Sequence, residues 1–190
     1  MSCRRACKIR YHCGGPRRTR GAPLVVAVAA SFALGAMLLP ACGSAASGVL
    51  IHGPEADIEL GPVPSTWRRV DVSDALVAYR DDSRRATIAV NARCGKDADD
   101  VPLEALRQHL FIYFTDRQIQ DQQTLPIDGR EALKTVLLAR LDGVQKAFIS
   151  YVLKKNGCVY DFLYICEPAT LESATPAFDA FVRGFRAIDR

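Results

Sequence analysis

Between residues 118 and 166 the chain alternates long apolar-rich runs with short turn sequences. The runs cover about 118–127, 130–141, 144–154 and 158–166, and the turns between them are Asp128-Gly129, Asp142-Gly143 and Asn156-Gly157. Asp-Gly and Asn-Gly pairs are strong hairpin signals, because both central residues of a type I′ turn take positive φ angles. The pattern therefore predicts four consecutive antiparallel strands, a β-meander.

Two shorter strands and a helix are predicted before the meander. β-branched and aromatic residues mark the strands at 76–80 and 85–93, and the turn sequence Asp81-Asp82-Ser83 separates them. Residues 102–115 show the three-four spacing of one helix face. The apolar members of that face are Leu103, Leu106, Leu110, Tyr113 and Phe114, whereas Glu104, Arg107 and Gln108 are expected to face water.

A second helix is predicted at the end of the chain, over residues 176–188. Thr175 and Pro176 have the residue types of an N-cap and a first helical position. The apolar stripe of this helix consists of Phe178, Phe181, Val182, Phe185 and Ile188.

The order of these elements predicts an α+β fold, in which helices pack on an antiparallel meander sheet and bury both apolar stripes. This order, together with Trp67 at the entry and a Phe-rich last helix, resembles the PsbP-like fold over about residues 65–188. The two central hairpins, from Asp128 to Gly143, also resemble those of small bacterial lipoproteins with this fold. The resemblance implies an α-β-α sandwich and an accessory or assembly role without a catalytic site.

The first 41 residues have the composition of an export signal. Residues 1–21 carry seven basic side chains and no acidic one, and residues 22–39 are uncharged and mainly apolar. A positive n-region, an apolar h-region and small residues at the end are typical of a secretory signal peptide. The alternative is an uncleaved membrane-spanning anchor, which would need roughly 17–25 apolar residues. Arg17-Arg18 also raises a twin-arginine signal, but the following residues lack the usual apolar pair.

Leu39-Pro40-Ala41-Cys42 closes this segment and resembles a bacterial lipoprotein lipobox. The resemblance implies cleavage after Ala41, a diacylglycerol on the Cys42 thiol and an acylated new amino terminus. The bilayer is then the first partner of the protein. The predicted organisation is a signal peptide at 1–41, a lipidated tether at 42–65 and a PsbP-like domain at 66–190. Gly43 resembles the residue type that permits outer-membrane sorting in many Gram-negative bacteria, which favours the periplasmic face of that membrane over the inner membrane.

The positive charge of the whole chain comes from the signal. Removing its seven basic residues from the total of 25 leaves 18 against 21 acidic residues, a net charge of −3. A nucleic-acid partner would need a clustered basic surface. None is predicted for the mature domain.

Three cysteines besides Cys42 remain after processing, namely Cys94, Cys158 and Cys166. An exported protein meets an oxidising compartment, so pairing is expected where geometry allows it. Cys158 and Cys166 stand at opposite ends of one predicted strand, about 27 Å apart at strand rise, and therefore cannot bridge. We favour Cys94–Cys158 because both residues flank turns. Cys94–Cys166 and three reduced thiols are the alternatives.

Other candidate chemistry is weak. Cys3, Cys7, His12 and Cys13 lack the ligand spacing of a zinc site. Asp97, Asp99, Asp100 and Glu104 lack the glycine and spacing of a calcium loop, and acids near a helix start complement its dipole. His52 and His109 have no nucleophile motif beside them. No catalytic residue, metal or cofactor is therefore predicted.

Two classes of function remain. We favour a non-catalytic envelope module that binds a protein partner or supports assembly. The alternative is a small-ligand carrier or an enzyme, with a pocket between the sheet and one helix. Its candidate lining is aromatic and consists of Phe111, Tyr113, Phe114, Tyr151, Tyr160, Phe162 and Tyr164.

Overall fold

A computed structural model describes residues 48–95 and 101–189. Seven antiparallel strands form the main sheet in the order β3-β4-β5-β9-β8-β7-β6. Their bounds are β3 Trp67–Val70, β4 Val77–Asp81, β5 Ala86–Cys94, β6 Thr115–Ile127, β7 Arg130–Leu141, β8 Val144–Lys155 and β9 Cys158–Cys166. A smaller sheet has the order β1-β2-β10, with β1 Val49–His52, β2 Asp57–Leu60 and β10 Arg186–Ile188. The helices are α1 Leu103–Leu110 and α2 Leu171–Arg183, and a 3-10 turn at Pro168–Thr170 precedes α2.

The predicted meander is confirmed. The strands β6 to β9 lie within a few residues of the expected bounds and pair consecutively. Each connecting turn has the expected positive φ at both central residues, for example 48° at Asp128 and 73° at Gly129. The two earlier strands are confirmed as β4 and β5.

The two faces of the main sheet bury different sets of side chains. One face carries Tyr160, Phe162 and Tyr164 of β9, and α2 and the small sheet cover it. On the opposite face α1 lies over β7 and β8, where Phe111 packs with Leu137 and Phe148. Such burial removes roughly 25 cal/mol of unfavourable hydration per Å² of apolar surface, so these two contacts hold the sandwich together.

The predicted tether is too long at its carboxyl end. Residues 49–60, which the sequence assigned to the tether, form β1 and β2, and Ile51, Ile58 and Leu60 are buried in the core. The folded domain therefore begins before the predicted boundary at residue 66. Each of these strands has only four residues, which is too short for periodicity to separate it from a loop.

The closing helix begins earlier than predicted and ends sooner. It starts at Leu171, so Pro176 lies inside the helix, and the Thr175 hydroxyl donates to the Leu171 carbonyl at 2.8 Å instead of capping. Gly184 ends the helix against Gly61, where a Cβ atom at position 184 would lie 2.3 Å from the Gly61 Cα. Ile188 belongs to β10 and not to the helical stripe. Phe178, Phe181, Val182 and Phe185 are buried as predicted.

The first helix is shorter than predicted. It ends at Leu110, and residues 111–114 turn the chain into β6. The turn leaves Tyr113 89% exposed, so its predicted place on the buried face is wrong. Arg107 was expected in water, but it is buried and pairs with Glu104.

Candidate functional sites

The two cysteines predicted to pair do so. Cys94 and Cys158 lie opposite each other in the β5–β9 register and form a disulfide. The Cys94 N–H donates to a Glu55 carboxylate oxygen at 2.8 Å, which ties the β1–β2 connection to the bridge. Cys166 is a buried free thiol, and burial raises its pKa. The predicted lipidation site, Cys42, lies outside the described residues.

An open cleft of about 560 Å³ lies beside this disulfide. Three segments line it, namely residues 54–55, 74–76 and 91–93. Its lining mixes apolar carbon with the charges of Glu55, Asp74 and Arg93. The cleft lies at the ends of β4 and β5, so it is not the pocket between sheet and helix that the sequence suggested.

The aromatic set proposed for that pocket is packed core instead. Tyr160 and Phe162 contact Phe185, and Tyr151 and Tyr164 contact Phe178, with ring centroids 4.8–5.9 Å apart. The other three aromatic residues lie either in the core beneath α1 or at the surface. Phe111 and Phe114 pack on Phe148, whereas Tyr113 is exposed. These rings therefore stabilise the two interfaces of the sandwich.

The sequence reading missed a polar layer beneath α1. Gln122, Thr135 and Ser150 are register partners on three adjacent strands, and Thr135 and Ser150 are fully buried. Their hydroxyl oxygens have no hydrogen-bond partner among the described residues. Glu104 of α1 accepts hydrogen bonds from Arg107, Gln108 and Gln122, and these contacts, that of Arg107 most strongly, lower the pKa of its carboxyl. Single polar residues inside apolar strand runs were the signal available in the sequence.

Asp161 of β9 is the most buried carboxylate of this face, at 1% exposure. An Arg93 guanidinium nitrogen lies 2.6 Å from its Oδ2, and the side chain of Arg93 remains half exposed. Burial raises the pKa of Asp161 to about 6, which outweighs the opposing effects of Arg93 and His109. This carboxyl therefore titrates close to neutral pH.

A second polar cluster fixes α2 on the other face. Lys134 of β7 donates to both carboxylate oxygens of Asp179, at 2.9 and 2.7 Å, and the Tyr151 hydroxyl donates to the same group at 2.7 Å. Burial raises the pKa of Tyr151 strongly, and its bond to Asp179 adds to the shift. The cluster is closed and fully paired, which is the property of a structural network.

The remaining candidates of the sequence reading do not converge. Asp97, Asp99 and Asp100 lie outside the described residues, and Glu104 is committed to Arg107. His109 is exposed on α1, and His52 lies 3.4 Å from Asp57. Within residues 48–95 and 101–189, no group of three potential ligands is placed to hold a metal.

The edge strand β6 is the most exposed strand of the main sheet. It is 13 residues long, and residues 115–124 are exposed throughout. Among the described strands it pairs only with β7, so its outer edge offers backbone groups of the kind that bind an added strand. Register shifts interrupt it between Thr115 and Gln118 and between Ile119 and Asp121, whereas the ladder from Asp121 to Ile127 is regular. The regular part is therefore the candidate docking edge, which we define as residues 121–127.

Solved structures share this fold. The cyanobacterial PsbP protein CyanoP from Synechocystis sp. PCC 6803 superposes with a TM-score of 0.56 at 15% identity, over 79% of this chain and 99% of that chain. LpqN of Mycobacterium tuberculosis, which is involved in cell envelope biogenesis, gives 0.53 at 15% identity over 75% and 91%. A variant of the protein Mog1 gives 0.57 at 14% identity over 75% and 96%. No protein family profile matches the chain. None of the curated proteins matches its sequence. The similarity to CyanoP confirms the predicted PsbP-like resemblance at the level of fold.

Within the described residues, no helix has both the length and the apolar character needed to cross a membrane.

Proposed function

We propose that the chain is an exported, lipid-anchored envelope protein whose PsbP-like domain is a non-catalytic binding module. The observation that supports export is the Cys94–Cys158 disulfide, because stable disulfides belong to oxidising compartments. The same chain carries a basic and apolar leader that ends in Leu39-Pro40-Ala41-Cys42. The two features are independent of each other and indicate the same route.

The proposed partner is an envelope protein that adds an extended segment to the docking edge of β6. The edge has regular ladder geometry, and its residues 121–124 are exposed. A partner strand gains main-chain hydrogen bonds along such an edge, and alternate side chains give specificity. The fold is shared with LpqN, a protein of envelope biogenesis, which is consistent with this role.

Anchoring is tested by replacing the lipidated residue. In the native host, Cys42→Ser is expected to leave an unprocessed precursor that takes up no labelled fatty acid. Cys13→Ser is the matched control, because it removes a thiol of the same leader and leaves the lipobox unchanged. Normal acylation of the Cys42→Ser variant would contradict the proposal. Fractionation of the acylated protein tests the outer-membrane location that Gly43 suggests.

Binding is tested by cross-linking and capture of the lipidated protein from its native envelope. A specific protein that cross-links through the docking edge is the expected result. Failure to capture a protein, combined with a co-purifying small molecule that raises the melting temperature, would favour the carrier alternative. The cleft beside the disulfide would then be the first place to look for that molecule.

A further inference from the structure

Three exposed apolar side chains lie at one end of the main sheet. Ile112 and Tyr113 belong to the turn between α1 and β6, and Val144 follows the turn between β7 and β8. They are 56%, 89% and 54% exposed. We call these three residues the apolar tip.

The fold supports the tip from below. Phe114 packs on Phe148 with ring centroids 4.9 Å apart, and Leu141 pairs with Val144 and contacts the same core cluster. The side chains of the tip therefore project from a rigid base instead of lining a groove. A protruding apolar and aromatic turn is suited to the interface of a bilayer, where tyrosine is enriched.

Charged side chains surround the tip. Arg117 donates to the Phe111 carbonyl, Arg140 lies 3.0 Å from Asp116, and Lys146 lies 2.5 Å from Glu167. A third acidic residue at this end is Asp142, in the turn between β7 and β8. Long basic side chains beside an apolar patch place their charge at lipid headgroup level while their stems stay on the apolar surface.

The chain enters the domain in a direction that fits this end. Strand β1 runs toward the disulfide end, because Gly53 after it packs on Leu76 and Glu55 binds the Cys94 N–H. The first described residue, Gly48, therefore lies at the end of β1 that points away from the disulfide. The segment from Cys42 to Gly48 spans at most about 20 Å when fully extended. By comparison, a strand of the length of β8 extends about 40 Å.

We propose that the apolar tip rests in the headgroup region of the bilayer to which Cys42 anchors the chain. This inference rests on the proposed lipid anchor and adds an orientation to it. Three exposed apolar residues bind a bilayer weakly alone, but a short tether holds them at high effective concentration beside it. The disulfide end and its cleft then face away from the membrane. Strand β6 runs from the membrane toward the disulfide end.

The test uses the full acylated protein reconstituted in vesicles of phosphatidylethanolamine and phosphatidylglycerol, with ordinary or brominated acyl chains. Tyr113→Trp reports the tip, and Val72→Trp reports the opposite end, where Val72 is an exposed apolar residue of the β3–β4 connection. The buried native Trp67 is common to both variants, and the unsubstituted protein provides its contribution. Thermal unfolding verifies that both variants fold.

Tyr113→Trp is expected to show a blue shift and loss of emission in brominated vesicles, whereas Val72→Trp keeps its emission. Equal quenching of both probes, stronger quenching of Val72→Trp, or no quenching of either in a protein that floats with the vesicles would overturn the orientation alone. A protein that lacks acylation at Cys42 by mass spectrometry would overturn the anchor, and the orientation with it.

Discussion

Lys134 of β7 and Asp179 of α2 form a buried ion pair, with Nζ 2.7 Å from Oδ2. Their side chains are 7% and 13% exposed, and the Tyr151 hydroxyl shares the Asp179 carboxylate. The pair fixes α2 on the sheet at one point and thereby sets the register of the helix against the strands.

Asp179→Ala is therefore expected to destabilise the domain by about 3 kcal/mol, because it leaves a buried ammonium without a counter-ion. Urea unfolding measures the loss. The double variant Lys134→Met/Asp179→Ala removes the unpaired charge and should be more stable than Asp179→Ala. The single variant Lys134→Met completes the comparison. If the free energy of unfolding lost by the double variant equalled the sum of the losses in the two single variants, the two residues would not be coupled.

Asp161 gives the domain a distinct pH dependence. Its pKa in the folded protein is about 6, against 3.8 for an ordinary aspartate, so the folded state binds the proton more tightly. The protonated carboxyl then favours folding fully below about pH 4, and this contribution is lost as the pH rises through about 6. The loss amounts to about 3 kcal/mol, taken from the size of the shift.

Asp161→Asn should remove this loss and flatten the unfolding free energy between pH 4.5 and 7. His109 is close enough to Asp161 to oppose the rise in its pKa, so His109→Gln is the control that must retain most of the slope. Urea midpoints at several pH values measure both variants. An unchanged slope in Asp161→Asn would show that the carboxyl does not titrate there.

The disulfide is expected to be a major source of stability. It closes a loop of 64 residues, for which the loop-entropy relation gives about 4 kcal/mol. The Cys94→Ala/Cys158→Ala variant should therefore melt lower by roughly 10 °C, given the usual 2–4 °C per kcal/mol for this size. Reduction of the wild type should give a similar shift in calorimetry. Wild-type stability in the double variant would contradict this role.

Two turns of the meander offer a matched pair of substitutions. Asp128 and Asp142 both take positive φ before a glycine. In addition, Asp128 lies 2.6 Å from the Lys155 ammonium and accepts the Ala187 N–H at 3.0 Å. Burial alone would raise the pKa of Asp128, but these two contacts outweigh it and lower the pKa. Asp128→Asn should thus cost about 2 kcal/mol, as expected for a charged hydrogen bond, whereas Asp142→Asn should be nearly neutral. Equal effects of the two in chemical unfolding would show that the bond to β10 is not stabilising.

The fold was largely predictable from local patterns. The turns Asp128-Gly129, Asp142-Gly143 and Asn156-Gly157 separated the strands, because their backbone geometry depends on the residues themselves. The Cys94–Cys158 bridge followed from the position of both residues beside turns. Helix bounds were less accessible, because Pro176 carries the same local signal in the first turn and inside a helix.

The candidate sites depended on tertiary contacts that no local pattern contains. Asp161 and Ser150 are ordinary polar residues in sequence, and the helix above them determines their burial. Arg107 is buried, and its pairing with Glu104 compensates the buried charge. The exposure of Tyr113 depends on the turn that joins α1 to β6, and alternation along β6 gave no sign that both of its faces are exposed.

The most direct test of the binding module is site-specific cross-linking in living cells. A photoreactive amino acid replaces Gln123 in the docking edge of β6, and the control carries it in place of Arg68 on the opposite edge strand β3, where the side chain is also exposed. The account predicts that the Gln123 site yields one discrete covalent product with an envelope protein, identified by mass spectrometry, and that the Arg68 site yields none. A product from Arg68 alone, or the absence of any product from Gln123 in a correctly acylated protein, would contradict it.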